Sequence, residues 1–160
     1  MRIGEGVEWG AHVCLLLDWL GPEARVPAVK LAAAFELPAP YLNKQLQLLV
    51  RAGILESSRG GNGGFALRRN LGAITMHDVV VAVEGVDPAF RCAEIRRCGI
   101  GADSPQSSFA APCAIAATMR DAEALWRQQL ASRTLADVQA DAERSVNGLR
   151  ERTRRRFAAL

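Results

Sequence analysis

The sequence predicts a mainly α-helical fold with one small β-hairpin. Three observations support this prediction. Apolar residues recur at helical spacing through most of the 160-residue chain, and prolines and glycines divide that pattern into separate helices. One glycine-rich stretch also separates two short apolar segments, as in a hairpin. Because 49% of the residues are hydrophobic, the chain can build a core and general disorder is excluded.

The first three predicted elements are helices that follow one another closely. The first spans residues 5–20 and ends at Gly21, and the second spans residues 26–35. The third opens at Pro40, where the missing amide donor is tolerated, and ends at Gly53. The apolar stripe predicted to bury this third helix consists of Leu42, Leu46, Leu49 and Val50.

A hairpin and a fourth helix come next. The apolar segments 54–58 and 65–68 are joined by a stretch with four glycines, which predicts two strands and a flexible tip, called the wing below. Thr75 is followed three residues later by Asp78, which resembles a capping box with Asp in place of Glu or Gln. The fourth helix is therefore predicted to begin there and to end at Gly85.

The chain divides into four predicted regions. Residues 1–85 form the winged helix-turn-helix domain, and residues 86–113 form an ordered loop without a clear period. Residues 114–143 hold a long amphipathic helix and a second helix beginning near Thr134. Residues 144–160 are rich in arginine and are expected to form a frayed basic tail. The apolar stripe of the long helix consists of Ile115, Met119, Ala122, Trp126 and Leu130.

Charge and hydropathy exclude several classes of protein. Twenty basic and 17 acidic residues give a net charge of +3, which is too mild to indicate a nucleic-acid partner by itself. No stretch approaches the ~18 consecutive apolar residues that span a bilayer, so we expect a cytoplasmic protein without a membrane partner. We also expect no enzyme, because neither a nucleophile–base pair nor a phosphate-binding loop is visible.

The order of elements predicts DNA binding. Helix, turn, helix and two-stranded wing follow one another as in a winged helix-turn-helix domain, whose third helix enters the major groove. Amide side chains suit adenine edges, while lysine and tyrosine reach guanine or phosphate. The early positions predicted to be exposed on this helix are Tyr41, Asn43, Lys44 and Gln45. At the wing tip, Arg59 lies among glycines, which suits entry into the minor groove. Each feature alone also fits an ordinary solvated surface, but their order over residues 26–68 favours a double-stranded DNA operator.

The cysteines carry the case for a cofactor. Four cysteines in a cytosolic chain indicate reduced, metal-binding or redox-active thiols, and thiolates select zinc or iron–sulfur clusters. Cys92, Cys98 and Cys113 offer three ligands from one region, so a fourth ligand has to come from elsewhere. Cys14 lies in an apolar helix and is expected in the core.

Several motifs in this order resemble the winged-helix iron–sulfur transcription regulators of the IscR/NsrR type. They are YLNKQL at 41–46, RAGIL at 51–55, the glycine-rich stretch 59–65 and the capped helix 74–85. Further features resemble the redox-sensing, RsrR-like members of that family. They are GVEW at 6–9 with His12, DPAF at 87–90 before Cys92, and PCAIA at 112–116. The resemblance covers roughly residues 1–140.

The resemblance implies a homodimer that binds a 2Fe–2S cluster, with the long helix after the cysteines at the dimer interface. The implied ligands are Glu8 and His12 of one subunit with Cys92 and Cys113 of the other, so that the cluster bridges the subunits. Glu8 and His12 are four residues apart on one face of the first helix, although such a pair is often only a surface pair. Cys98 is an alternative ligand, because its spacing from Cys92 matches the first pair of the three-cysteine pattern of IscR-like members.

The implied function is a transcription regulator whose operator affinity changes when the cluster is oxidised or reduced. The resemblance suggests that Trp9, next to the ligand Glu8, responds to the state of the cluster, although a core aromatic is the other reading. One alternative is a regulator of the same fold that senses iron–sulfur supply or nitric oxide through loss of the cluster. Another is a metal-binding electron-transfer protein that does not bind DNA specifically.

Overall fold

The structure is a computed structural model that describes residues 3–61 and 63–160. It is mainly α-helical with a two-stranded antiparallel sheet, as predicted. The elements in the described residues are α1 Glu5–Leu20, α2 Ala28–Ala34, α3 Ala39–Arg51, β1 Leu55–Ser58, β2 Gly64–Leu67, α4 Met76–Glu84, α5 Ala114–Ala131, α6 Leu135–Ser145 and α7 Leu149–Ala158. Within those residues, no helix combines the length and the apolar character that crossing a membrane requires.

The chain forms two compact units. The first, called the winged unit, contains residues 3–85 and 130–160, and the second, called the cysteine unit, contains residues 86–129. This division differs from the predicted regions, because α6 and α7 belong to the same unit as α1–α4.

The core of the winged unit surrounds α1. Ten of the sixteen residues of this helix are buried, since α3, α4, α6 and α7 all pack against it. Gly10 allows α3 to approach closely, because a Cβ there would lie 3.1 Å from Leu49 Cδ1. The predicted capping box of α4 is confirmed: Asp78 N donates to Thr75 Oγ1 at 3.0 Å, and Thr75 N donates to Asp78 Oδ2 at 2.9 Å. The packing of α3 against α1 and α4 thus holds the helix-turn-helix pair α2–α3 in a fixed position.

The wing is also attached to the helices by a backbone pairing outside the β1–β2 hairpin. Strands β1 and β2 pair antiparallel, and Phe65 also exchanges backbone hydrogen bonds with Val26, just before α2. Gly64 is required at this crossing, since a Cβ there would lie 2.4 Å from the carbonyl carbon of Val26. The predicted hairpin is therefore confirmed.

The C-terminal residues differ from the prediction of a frayed tail. Residues 149–158 form α7, and Phe157 is buried with the Lys30 Nζ 5.0 Å from its ring centroid. The preceding helix α6 is also attached to α1. Gln139 donates to Asp18 at 2.9 Å, and the Trp19 indole donates to Glu143 at 2.7 Å. Phe157 thus packs α7 against the winged unit, and the arginine-rich composition of this segment did not indicate such a helix.

The cysteine unit is held together mainly by polar contacts. Arg97 donates to Gln106 at 2.9 Å and lies 4.7 Å from the ring centroid of Phe109. Glu123 accepts from the amide of Ala89 at 3.1 Å and pairs with Arg127. Ala116 is the one buried hydrophobic residue among residues 86–129. The large apolar side chains that remain exposed in this unit are Val86, Ile95, Ile100, Ile115, Met119 and Leu125.

Candidate nucleic-acid and metal sites

The first turns of α3 present a polar surface. Leu42, Leu46 and Leu49 are fully buried, so the opposite side of the helix faces outward. Tyr41 is 60% exposed, and Asn43 and Lys44 are exposed as well. The start of α3 is closed by backbone hydrogen bonds, since the amides of Tyr41 and Leu42 both donate to the Pro38 carbonyl at 3.0 Å.

Gln45 does not belong to this surface, and the prediction that it is exposed is wrong. Its Oε1 is buried and has no hydrogen-bond partner among residues 3–61 and 63–160. The side chain packs against α1 at Gly6, where a Cβ would lie 2.8 Å from Gln45 Cδ. Gln45 thus contributes to the packing of α3 on α1.

At the tip of the wing, Arg59 is exposed and forms no ion pair with any residue that the structure describes. The tip is narrow because Gly60 adopts a φ of +104° and because a Cβ at Gly63 would lie 2.4 Å from the carbonyl oxygen of Ser58. The guanidinium therefore extends from a thin edge that fits a groove of DNA.

A ring contact joins α1 to the polar surface of α3. The rings of Trp9 and Tyr41 are 6.0 Å apart between centroids and meet edge to face at 72°. The sequence did not predict this pair, because the two residues are 32 positions apart and no local pattern relates them. Trp9 is half-buried, so its ring can shift without rearranging the core.

Glu8 and His12 are both exposed and line the same groove on α1. The groove has a cavity volume of about 420 Å³. The remaining lining residues are Ile3, Gly4, Glu5, Val7, Ala11, Leu15, Met76 and Val138. The His12 ring also lies 5.9 Å from the ring of Phe35, at the end of α2. Two potential metal ligands therefore sit side by side at an apolar surface.

In the cysteine unit, Cys92 and Cys113 have features suited to thiolates. The amides of Ala116 and Ile115, in the first turn of α5, donate to the Cys113 sulfur and lower the pKa of this thiol, with a smaller contribution from Arg96. The Cys92 sulfur accepts from the amide of Glu94 at 3.4 Å. The pKa of Arg96 is raised chiefly by its hydrogen bond to Glu94 and, more weakly, by charge on Cys113 and Cys92. Both sulfurs thus share one guanidinium neighbour.

The other two cysteines differ from this pair. Cys98 is exposed and has no hydrogen bond to its sulfur among the described residues. Cys14 is fully buried in α1, as expected, and burial raises the pKa of its thiol to about 12. A neutral thiol in the core is a poor metal ligand, so Cys14 has a packing role.

The described part of a single chain does not bring three potential metal ligands together. Glu8 and His12 belong to the winged unit, whereas the three remaining cysteines belong to the cysteine unit. Each unit therefore offers an incomplete set of ligands.

The winged helix-turn-helix with its exposed α3 and wing defines a transcription regulator. A family model described as "Rrf2: Iron-dependent Transcriptional regulator" matches residues 3–141, and the chain belongs to this family. It is 30% identical over 147 residues to the HTH-type transcriptional regulator YffB of Lactococcus lactis, covering 92% of each chain. The predicted regulator, rather than an enzyme, is thereby confirmed, as is the resemblance to the IscR/NsrR type.

Solved structures share the fold. CymR, the global cysteine regulator of B. subtilis, superposes with a TM-score of 0.63 at 23% identity, covering 88% of this chain and 97% of its own. T. potens IscR superposes with a TM-score of 0.62 at 21% identity, covering 91% of this chain and 90% of its own.

Proposed function

We propose that the protein is a homodimeric, redox-responsive regulator that binds a 2Fe–2S cluster and a double-stranded DNA operator. The observation that carries the proposal is the pairing of amide-supported thiols, Cys92 and Cys113, in one unit with an exposed Glu8–His12 pair in the other. Each pair is half of a four-ligand set, and we assign the two halves of one cluster site to different subunits, as the resemblance implies.

The DNA surface of the proposal consists of the outward side of α3 and the wing tip. Tyr41, Asn43 and Lys44 contact the major groove, and Arg59 reaches the minor groove. A charged or polar side chain without a partner in the protein loses little when it moves onto DNA, which supports these assignments.

Substitution of these residues tests the DNA surface. Lys44→Ala and Arg59→Ala are each expected to weaken binding to an operator-containing genomic fragment while leaving folding and cluster content unchanged. Arg51→Ala is the matched control, since Arg51 is exposed at the far end of the same helix. Unchanged affinity for both test variants across a salt titration would contradict winged-helix docking, because lost phosphate or base contacts must appear there.

The donor chemistry fits a 2Fe–2S cluster. Hydrogen bonds from backbone amides to cysteine sulfur stabilise the thiolate form that iron binds, and they also tune the reduction potential of such centres. Glu8 and His12 would bind one iron and Cys92 and Cys113 the other, each pair from a different subunit. An imidazole and a carboxylate in place of two thiolates reduce the negative charge of the ligand set, which raises the reduction potential.

Serine variants test the ligand set. Cys98→Ser is expected to keep the visible absorption of a 2Fe–2S cluster after anaerobic purification, whereas Cys92→Ser and Cys113→Ser lose it. Cys98→Ser is also the control for a general effect of thiol removal. If Cys98 is indispensable and Glu8→Ala is harmless, a three-cysteine site replaces the proposed one.

A bound cluster supplies a one-electron redox change next to α1. Trp9 follows Glu8 in sequence, and its ring contacts Tyr41 on the DNA-reading helix. A shift of α1 at Glu8 and His12 would therefore alter the support of α3, and with it the affinity for DNA.

Redox titration tests the signal. Anaerobic dithionite is expected to bleach the cluster, and air is expected to restore it without added iron. Operator affinity should differ about tenfold between the two states, which corresponds to ~1.4 kcal/mol of coupling. Trp9→Ala should reduce that difference, while Trp9→Phe should keep more of it. If both redox states bind equally and only the cluster-free protein differs, the protein senses cluster supply instead.

A further inference from the structure

Helix α7 carries the positive charge of the protein. It lies beyond residues 3–141, the part that the family model matches. Residues 142–160 hold six arginines and two glutamates, a formal charge of +4. Because the whole chain carries +3, residues 1–141 carry −1. The part of the chain shared with the family therefore carries no net positive charge.

The helix is anchored beside the helix-turn-helix. Phe157 is buried with Lys30 of α2 against its ring. A cavity of about 340 Å³ next to it is lined by Phe35 and Glu36, in the turn that leads to α3, and by Arg156 of α7. In helix-turn-helix domains the first helix of the pair crosses the DNA backbone, so α7 lies against the element nearest to phosphates.

The arginines of α7 face solvent. Five arginines of α7 have an exposed side chain and no ion pair with the described residues. They are Arg150, Arg152, Arg154, Arg155 and Arg156. Glu151 is the single acidic residue on the helix. Anchoring α7 needs only its apolar side, so packing does not explain why five unpaired cations occupy the rest of it. Exposed arginines beside a DNA-crossing helix complement the charge of a duplex backbone.

We propose that α7 is a second DNA-contacting element that binds backbone phosphates next to the half-site read by α3, whatever their sequence. Arg156 borders the α2–α3 turn, and Arg152 lies four residues before it on the same face of α7, so these two arginines make the principal contacts. The inference rests on the proposed DNA surface of α3 and the wing. In a dimer the two copies of α7 would extend the contact at both ends of the operator.

The double variant Arg152→Gln/Arg156→Gln tests the proposal on the full-length dimer. Binding to a random-sequence 30-base-pair duplex is measured by fluorescence anisotropy over a salt series. We expect affinity to fall about tenfold and the slope of log K against log salt to decrease by about 1 to 2. Glu151→Gln on the same helix should increase affinity. Thermal unfolding of each variant checks that the fold is intact.

The matched control is Arg51→Gln/Arg144→Gln, which removes the same net charge from two exposed residues outside α7. An equal loss in this control would overturn the proposal, since net charge alone would explain the effect. An unchanged salt slope in the α7 variant would also overturn the proposal. So would an α7 variant that binds the duplex normally but no longer binds phosphatidylglycerol vesicles. The α7 variant should keep its preference for an operator fragment over the random duplex, whereas Lys44→Ala should lose that preference. A failure of the α7 proposal can therefore be distinguished from a failure of the DNA surface proposed for α3 and the wing.

Discussion

The winged unit and the cysteine unit are stabilised by different kinds of contact. Of the buried hydrophobic residues among those described, all but Ala116 belong to the winged unit, where they surround α1. The cysteine unit relies on ion pairs, of which Arg91–Asp87 is exposed and contributes little in water. It also leaves Ile115, Met119 and Leu125 in solvent. One unit is stabilised by its own core, whereas the other leaves most of its large apolar side chains exposed.

This difference suits a sensor. A segment with few buried contacts opens and rearranges at low free-energy cost, which is what a responsive element requires. A DNA-reading helix needs the opposite, because its side chains must hold a fixed position against the groove.

Truncation in the core of the winged unit should have the largest effect. Leu49→Ala is expected to lower the free energy of unfolding by about 3 kcal/mol, since Leu49 is fully buried between α3 and α1. Urea denaturation followed by circular dichroism measures the change. Leu125→Ala is the counterpart in the cysteine unit and should change the same quantity by less than about 0.5 kcal/mol at concentrations where the protein is monomeric. Similar losses for both variants would contradict the comparison.

The crossing of the wing over Val26 gives the next effect. Gly64→Ala is expected to cost about 2 kcal/mol or more, because the new Cβ would collide with the Val26 backbone and disrupt its pairing with Phe65. Thermal unfolding measures the loss. Gly61→Ala is the control, since a Cβ at Gly61 meets nothing within 4 Å. A stable Gly64→Ala protein would show that the wing is not pinned at this point.

The exposed apolar side of α5 should govern self-association. Met119→Glu/Ala122→Glu is expected to raise the dimer dissociation constant at least tenfold, about 1.4 kcal/mol, because it places charge where apolar surface would be buried. Sedimentation velocity over a concentration series measures the constant. Ala124→Glu/Gln128→Glu changes exposed residues on another side of the helix and should leave it unchanged. Equal effects in the two variants would place the dimer interface elsewhere.

The last effect appears only at alkaline pH. Burial raises the pKa of the Cys14 thiol from 9.0 to about 12, so the folded protein keeps a proton that the unfolded chain loses near pH 9. The free energy of unfolding should therefore decline as pH rises from 9 towards 12. Cys14→Ala should remove this part of the decline while leaving the rest, as measured by urea denaturation between pH 8 and pH 11. A parallel decline in both proteins would show that Cys14 is not protected.

Local signals explain which elements were predictable. The bounds of α1, the wing and the capping box of α4 depend on glycines, prolines and polar caps within a few residues of each element. Such signals act on the backbone directly, so they survive in almost any tertiary setting. The burial of Gln45 against Gly6 could not be read in this way, because the two residues are 39 positions apart and each looks ordinary in its own segment.

The features of the candidate site likewise fall into those that local sequence predicts and those that it does not. The sequence by itself determined the winged order of helices and strands, the buried leucines of α3 and the ligand types available, because periodicity and side-chain chemistry are properties of short segments. Only the tertiary structure decided that Trp9 meets Tyr41, that one guanidinium serves Cys92 and Cys113, and that Phe157 seats a basic helix beside α2. Those contacts join residues distant in sequence, and their existence depends on how closely packed elements exclude water and fit one another in space.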